Sequence, residues 1–381
     1  MPVSLVVESV RSEEAHPMRF RFSQLADELS SSRLLPIGAA GAILLFLFAV
    51  QLLGTATDAA APLLERVFLR VVVGDASALG LSWSGAYALA NGSVVAALAL
   101  SLFTVDIVSA PQLFLMVAGS RLGAAAIVVF IGALDYLQKE RYSLQKSVSM
   151  GLLTFLLTLS VYLPVTAFGY LALPYLGDSF RAASRGWTVS ADPLGFFDPL
   201  TATITNAIGP VLSFLVAVGV LFASLKLFDR ILANVDTATL RKRFFSRLQR
   251  TWVSFAIGLL VTGVTTSVAF SLGVIVPLYN RGYVEREELI PYVLGANIGT
   301  LIDTLVVAVF LESAVGTAVV LELLAIATLL TLGALLVHDT YSRVIVAIDE
   351  RLLEDRRVFL AFVLFLLVVP LALLLVPLAV N

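Results

Sequence analysis

The stretch LVTGVTTSVAFSLGV, residues Leu260–Val274, decides the fold, because hydroxyl side chains interrupt a run that is otherwise apolar. A polar group in the hydrocarbon region of a bilayer must find a partner inside the protein. Clustered hydroxyls beside a glycine such as Gly263 also permit an unwound backbone. The stretch therefore predicts a membrane helix that is broken inside the bilayer, and Ala88–Ala97, with Asn91 and Ser93, predicts another.

The composition of the whole chain places much of it in lipid. The 381 residues are 59% hydrophobic and 14% charged, and the mean hydropathy is +0.97. Soluble domains average about 45–50% apolar and about 25% charged residues. The formal net charge of −2 gives no reason to expect a nucleic-acid partner. Because the chain has no cysteine, disulfides, thiolate metal sites and cysteine nucleophiles are excluded.

Apolar runs of roughly 20 residues can cross a bilayer, and the sequence predicts about eight to ten membrane segments. The longer runs are Leu35–Leu53, Val148–Leu173, Ala207–Phe228, Trp252–Leu278 and Val358–Val380. The shorter or interrupted runs are Leu81–Phe103, Leu113–Leu134, Leu289–Leu311 and Ala314–Val337. The first run follows a polar stretch without a signal-peptide pattern, so we expect it to be a retained helix.

The same order of features occurs twice along the chain. A shift of 174 carries Asn91-Gly92-Ser93 onto Thr265-Thr266-Ser267, and a shift of 176 carries Gly119–Gly123 onto Gly295–Gly299. We therefore predict a duplicated membrane unit. The predicted divisions are a polar N-terminal segment (1–35), membrane repeat 1 (36–175), a linker (176–209), membrane repeat 2 (210–340) and a C-terminal segment with a transmembrane helix (341–381).

The distribution of basic residues predicts how the two repeats are oriented. The connector Asp229–Arg250 contains many Arg and Lys residues, whereas its counterpart Thr55–Ala76 contains only Arg66 and Arg70. Basic connectors favour the cytoplasmic side, so the repeats are expected to be inverted, as in many transporters. We expect an integral protein of a prokaryotic cell membrane with a cytoplasmic N-terminus. The oligomeric state is left open.

The stretch Thr262–Thr304 resembles the second repeat of the type II sodium-dependent phosphate cotransporters. The resemblance rests on Thr-Thr-Ser-Val at Thr265–Val268, on the Gly-Ala-Asn-Ile-Gly-Thr run at Gly295–Thr300, and on Pro277, Gly282 and Pro291. It implies an all-α polytopic fold of two inverted repeats with broken or re-entrant helices. It also implies a secondary transporter rather than an enzyme. Such a transporter carries inorganic phosphate or a similar oxyanion, uses Na⁺ as the coupling ion and needs no other cofactor.

In that family each repeat carries a Gln-Ser-Ser-Ser motif whose polar atoms help to bind phosphate and sodium. This chain departs from the motif, because Val264 or Thr266, depending on the alignment, takes the place of the glutamine in the second repeat. In the first repeat, Asn91 takes the place of the glutamine and has the same amide group on a shorter side chain. The resemblance implies Na⁺ ligands at Thr266, Ser267, Asn297 and Thr300. The full set of expected substrate or ion ligands is Asn91, Ser93, Arg121, Thr265, Thr266, Ser267, Ser271, Asn297, Thr300 and Asp303.

Two ionisable residues in apolar runs are the most unusual members of that set. Arg121 takes the place of Asn297 in the first repeat, and Asp303 replaces a small polar residue of the family. Ionisable groups inside membrane segments are functional candidates by default. Three alternatives remain for Arg121: it contacts the substrate anion, it pairs with Asp303, or it lies shallow and extends to water. Our hypothesis is that the guanidinium stands where a sodium ion would otherwise help to neutralise the anion.

Two other functions fit the sequence. One is a non-transporting membrane scaffold or receptor that has kept the transporter fold. The other is a membrane enzyme that acts on a lipid phosphate through Arg121 and Asp303. The sequence contains no Walker loop, no metal-ligand spacing and no nucleophile–His–carboxylate set, so transport driven by nucleotide hydrolysis is not expected.

Overall fold

A computed structural model describes residues 35–138, 144–186, 194–233, 250–266, 268, 271, 275 and 286–380. Within these residues the chain is helical, apart from short turns, and no strand occurs. The α-helices of the first half are α1 Leu35–Val71, α2 Asp75–Leu89, α3 Gly92–Thr104, α4 Ala110–Gln138, α5 Leu144–Ser184 and α6 Asp198–Ile208. Those of the second half are α7 Pro210–Ala233, α8 Thr251–Thr265, α9 Arg286–Gly299, α10 Leu301–Phe310, α11 Ala314–Leu336, α12 His338–Glu354 and α13 Arg356–Val380.

Among the described residues, seven helical stretches are long and apolar enough to cross a membrane. They are Pro36–Val71, Ala110–Ile127, Ser149–Ser184, Pro210–Leu232, Arg286–Phe310, Ala314–Leu336 and Arg356–Pro377. Two shorter apolar helices, Gly92–Thr104 and Thr251–Thr265, adjoin the breaks. The prediction of an all-α polytopic membrane protein is confirmed.

Several helices extend beyond the apolar runs that the sequence outlined, and one run is divided. Helix α1 continues to Val71, so most of the predicted connector 55–76 is helical, and α5 continues to Ser184, well into the predicted linker. The continuation of α1 is rich in residues that favour helix, namely alanine, leucine, glutamate and arginine. Pro62 lies inside this helix. The predicted crossing Trp252–Leu278 is not one helix, because α8 ends at Thr265.

The two helix breaks have the same backbone conformation. Helix α2 is followed by Ala90 at φ 49°, and α8 is followed by Thr266 at φ 50°. Left-handed residues other than glycine are uncommon, so the match is informative. Ala90 and Thr266 are 176 positions apart, as are the starts of α2 and α8. The alignment of the polar triplets by 174 was therefore wrong, and Asn91 corresponds to Ser267.

The same offset recurs in the packing of glycines. A Cβ added to Gly119 on α4 would lie 2.9 Å from the carbonyl oxygen of Leu79 on α2. A Cβ added to Gly295 on α9 would collide with the carbonyl oxygen of Phe255 on α8. Both glycines thus let two helix backbones touch, as small residues do in membrane helix packing.

Helix α4 and the α9–α10 segment run in opposite directions. Ala110, at the start of α4, and Val315, just beyond the end of α10, line one cavity. By the offset of 176, α4 corresponds to α9 and α10 together, which begin at Arg286 and end at Phe310. The start of α4 therefore lies where its counterpart ends. This supports inverted repeats, whose boundaries stay a prediction.

The start of α9 is held by an ion pair. Arg286 Nη1 donates to Asp349 Oδ2 of α12 at 3.0 Å, and Arg286 Nη2 donates to the hydroxyl of Ser149 on α5. Burial raises the pKa of the Asp349 carboxyl to about 6, although Arg286 lowers it and Glu350 raises it. Because this pKa lies above the ordinary value for aspartate, the folded protein holds the proton more tightly than the unfolded chain does. Ionisation of Asp349 therefore lowers stability as the pH rises from about 4 to about 6.

We expect Arg286→Met to lower the free energy of unfolding by about 3–5 kcal/mol at neutral pH, because it leaves a buried carboxylate without its counter-charge. The loss should become small in acid, where Asp349 binds a proton. Thermal unfolding of the protein in detergent, at about pH 5 and about pH 8, measures both values. Arg351→Met, which removes an exposed cation from α12, is the matched control. An equal loss at the two pH values would show that the ion pair does not stabilise the fold.

Candidate functional site

A cavity of about 140 Å³ lies between the two helix breaks, and we call it the break cavity. Both breaks contribute to it, since Gly92 lines it from the first and Val268 from the second. A water molecule occupies roughly 30 Å³ in the liquid, so the cavity has room for a small anion or several waters. The polar residues that line it are Asn91, Ser93, Arg121, Asp229, Thr266 and Thr300.

Arg121 and Asp303 form a buried ion pair at one wall of the break cavity. Arg121 Nη2 lies 3.0 Å from Asp303 Oδ1, and the two side chains are 6% and 4% exposed. The same nitrogen donates to the hydroxyl of Thr304, which in turn donates to Asp303 Oδ1 at 2.9 Å. Ser93 donates to the other carboxylate oxygen, Oδ2. Of the three alternatives for Arg121, the shallow position is excluded, and the pairing with Asp303 is observed.

The ion pair still leaves part of the guanidinium without a partner. Arg121 Nε is buried and has no hydrogen-bond partner in the described part of the chain. A buried donor without a partner is costly, whereas a guanidinium suits bidentate contact with oxyanions. Because Arg121 itself lines the break cavity, it can pair with Asp303 and contact a small anion at the same time.

The first break presents a helix N-terminus to the cavity. Asn91 is the N-cap of α3, and its Oδ1 accepts a hydrogen bond from Val94 N at 3.1 Å. Gly92, which has no side chain, and Ser93 line the cavity from the first turn of α3. Free N–H groups and the helix dipole make such an N-terminus favourable for an anion.

Asn297 does not line the break cavity, because α5 holds it. Its side-chain Oδ1 accepts from the hydroxyl of Thr158 at 3.2 Å, and its carbonyl accepts from Tyr162 and Thr300. Asn297 Nδ2 is buried and has no hydrogen-bond partner among the described residues. The structure therefore places the Asn297 side chain behind the cavity wall.

The other expected ligands divide between cavity and interior. Thr265 donates back to the carbonyl of Val261 at 2.6 Å, which is the ordinary bond of a helical threonine, and it does not line the break cavity. Ser271 exchanges hydrogen bonds with the hydroxyl of Tyr292 and is fully buried. Ser267 lies outside the described residues. Of the four predicted Na⁺ ligands, only Thr266 and Thr300 are seen at the break cavity.

The structure adds two polar residues that the sequence analysis missed. Thr304 completes the network of Arg121 and Asp303, and its position next to Asp303 in an apolar run was a usable signal. Asp229 lines the break cavity from the end of α7. Asp229 was harder to predict from the sequence as a cavity residue, because an acidic residue before a basic connector is usually solvated.

A larger, mostly apolar cavity of about 270 Å³ adjoins the break cavity. The two cavities share Leu225, Phe228 and Thr266 as lining residues. Asp303 lines the larger one. The shared residues Leu225 and Phe228 belong to α7, so this helix separates the two spaces.

Comparison with protein families bears on the second half of this arrangement. Residues 206–348 match the family described as Na+/Pi-cotransporter. This matched part, which is less than half of the chain, is similar to a Na⁺/Pi-cotransporter domain. The resemblance to the sodium-dependent phosphate cotransporters is thereby confirmed, and that family is one of transporters, not of enzymes. Comparison with curated proteins found no match, and comparison with solved structures found none either.

The cotransporter domain begins in α6 and ends in α12, so it contains the second break, Thr300 and Asp303. Arg121, Asn91 and Ser93 lie outside the matched residues. The described residues that line the break cavity therefore come partly from the matched part of the chain and partly from the part that precedes it.

Proposed function

We propose that this chain is a sodium-coupled symporter of inorganic phosphate or a similar oxyanion, and that the break cavity is its binding site. One observation carries the proposal: two equivalent helix breaks face each other across a cavity lined by a buried arginine. Membrane transporters place their substrate and ion sites at such breaks, where half-helix N-termini and unwound carbonyls are available. The cotransporter domain supports the same substrate and coupling ion.

The oxyanion would bind between Arg121 and the N-terminus of α3. Arg121 Nε offers an unused donor, and the first turn of α3 offers backbone N–H groups. Hydrogen bonds from such donors to an oxyanion are charge-assisted and therefore strong. Neither group requires covalent chemistry, so binding and release of an unchanged anion is the expected activity.

The charges around the cavity favour co-binding of a cation. Arg121 is balanced by Asp303, and no other cation occurs among the described residues that line the break cavity. An anion that enters this site would therefore not be neutralised by the protein alone. A sodium ion beside Thr266, Thr300 and Asp229 would supply the missing positive charge, and hydroxyl and carboxylate oxygens are suitable ligands for it.

Alternating access would come from movement of α1 and α7 against the other helices. These two helices pack along each other and contact the break-bearing helices much less extensively. Helix α7 carries Leu225 and Phe228, which separate the break cavity from the larger apolar one. A small displacement of α7 would therefore open or close the break cavity.

Uptake of labelled phosphate into proteoliposomes tests the proposal. Purified wild-type protein should give saturable uptake that requires an inward sodium gradient, and protein-free liposomes should give none. Saturable binding of phosphate without flux would contradict transport and favour the scaffold or receptor function.

Asn91→Asp provides a sharper test of the anion position. The aspartate keeps a cap acceptor for Val94 N but adds a negative charge to the cavity lining. We expect phosphate affinity to fall by roughly tenfold to a hundredfold, because like charges at an anion site cost about 1–3 kcal/mol. Stability should change little. The matched control is Asp106→Asn, in the turn between α3 and α4 and outside the break cavity. Unchanged affinity in Asn91→Asp would place the anion elsewhere.

A further inference from the structure

A separate cavity of about 220 Å³ lies between the start of α4, the last third of α5 and the first turns of α11. It shares no lining residue with the break cavity. Its walls are mostly apolar, and they include Pro111 of α4, Pro174 of α5 and Val319 of α11. Two charged residues line it, Arg181 and Glu322.

Glu322 is buried without a counter-charge. The residue is 1% exposed, and its Oε1 has no hydrogen-bond partner among the described residues. It lies on α11, which is apolar and long enough to cross a membrane. An ionisable side chain in such a helix is costly and is retained mainly where it binds or transfers an ion.

The charged surroundings of Glu322 do not neutralise it. Arg181, the only cation that lines this cavity in the described structure, is 55% exposed and pairs with Asp178 at 3.5 Å. Helix α4 contributes only uncharged residues to the cavity, and α11 itself contributes only apolar residues besides Glu322. The other helices that pack against α11, namely α3, α9, α10 and α12, contribute none.

The ligand that this cavity fits is a proton. A metal cation must exchange its hydration shell for several oxygen ligands. Apart from Arg181, Glu322 is the only residue with a polar side chain among the described residues that line this cavity. One carboxyl group in apolar walls provides too few oxygen ligands for a metal ion. A proton needs only the single unpartnered oxygen.

The position of α5 connects this cavity with the break cavity. Thr158 and Tyr162 of α5 bond to Asn297 behind the wall of the break cavity. Further along the same helix, Leu173 and Arg181 form the wall opposite Glu322. Helix α5 also packs extensively on α11, so a rearrangement at the breaks would alter access to Glu322.

We propose that Glu322 is a proton-binding site that exchanges its proton with water past Arg181, and that proton loading modulates the transport cycle. The second half of this proposal rests on the proposed function, whereas the first half does not. The carboxylate takes a proton from water on the Arg181 side and returns it to the same side, so no other reactant is needed.

Infrared spectroscopy of the full chain in lipid tests the site without transport. A protonated carboxylic acid has a C=O band that shifts in D₂O. In the difference spectrum of wild type minus Glu322→Gln we expect such a band, and we expect it to weaken as the pH is raised from about 6 to about 9. Asp349, whose pKa is about 6, contributes to both proteins and cancels in the difference. Glu354→Gln, an exposed residue at the end of α12, should keep it. If Glu322→Gln does not fold, Glu322→Asp replaces it, and this variant should shift the frequency of the C=O band. A band that is identical in wild type and Glu322→Gln, or that does not exchange, overturns the site.

Phosphate uptake over the same pH range tests the modulation. We compare the ratio of wild-type to Glu322→Gln uptake, because the ionisation of phosphate itself affects both proteins equally and cancels in the ratio. This ratio should change about tenfold across the range. A constant ratio overturns the modulation. If neither protein takes up phosphate while the infrared band titrates, the proposed transport function is wrong and the proton site stands.

Discussion

Arg121→Gln is expected to reduce phosphate uptake at least about a hundredfold and to lower the free energy of unfolding by about 3–5 kcal/mol. The loss of stability follows from Asp303, which is 4% exposed and would lose the guanidinium as its partner. The loss of uptake follows from removal of the guanidinium, because Arg121 lines the break cavity and its Nε has no hydrogen-bond partner among the described residues. Proteoliposome uptake and thermal unfolding in detergent measure the two effects separately.

The double variant Arg121→Gln/Asp303→Asn separates a structural role from a binding role. With both charges removed, most of the lost stability should return, since neutral groups of similar shape leave no unpaired charge. Uptake should stay low if Arg121 contacts the anion. Recovery of both stability and uptake would show that Arg121 only neutralises Asp303.

Arg121→Asn tests whether the guanidinium substitutes for a sodium ion. This variant has the residue found at the equivalent position of the second repeat, Asn297. If the guanidinium replaces one sodium ion, the variant should need a higher sodium concentration for half-maximal uptake. Full uptake with unchanged sodium dependence would contradict the hypothesis.

Gly295→Ala is expected to destabilise the second half of the molecule by about 3 kcal/mol and to abolish uptake. Its Cβ would lie 2.8 Å from the backbone nitrogen of Leu259 and closer still to the carbonyl of Phe255. Both neighbours are backbone atoms, which cannot turn aside as a side chain can. Helices α8 and α9 would have to separate, which would move Thr266 and Thr300 apart.

Gly333→Ala is the matched control for this substitution. Gly333 lies inside α11, and nothing is within 4 Å of an added Cβ. Alanine is favoured over glycine inside a helix, so stability should be unchanged or higher by up to about 1 kcal/mol. Gly295→Ala with a wild-type unfolding temperature would contradict the close packing of α8 and α9.

Local sequence patterns predicted the breaks but not their register. Hydroxyls and glycines in apolar runs located both interruptions, and the structure has them after Leu89 and Thr265. The shift of 174 matched residue types, whereas the helices match at 176. A displacement of two residues turns a side chain by about 200° around a helix, which is enough to exchange cavity and interior. Chemically similar residues such as Thr265 and Ser267, the two candidate counterparts of Asn91, cannot reveal that displacement.

The partner of Arg121 was also beyond the reach of sequence patterns. Arg121 and Asp303 are 182 positions apart, and each alone was equally compatible with substrate contact or pairing. Asn297 shows the converse case, because its motif suggested a ligand while Thr158 of α5 takes up its side-chain oxygen. Both outcomes depend on how α4, α5 and α10 pack.

The sequence by itself determined that this is a polytopic helical membrane protein with interrupted helices and a cotransporter-family domain. Those properties follow from hydropathy, glycine and hydroxyl spacing and motif order, which are all local along the chain. Only the tertiary structure decided that the two breaks share one cavity, that Arg121 pairs with Asp303 and that Glu322 faces a cavity of its own. The physical reason is that helices far apart in sequence bring these groups together, and a buried charge is acceptable only where such packing supplies a partner or a ligand.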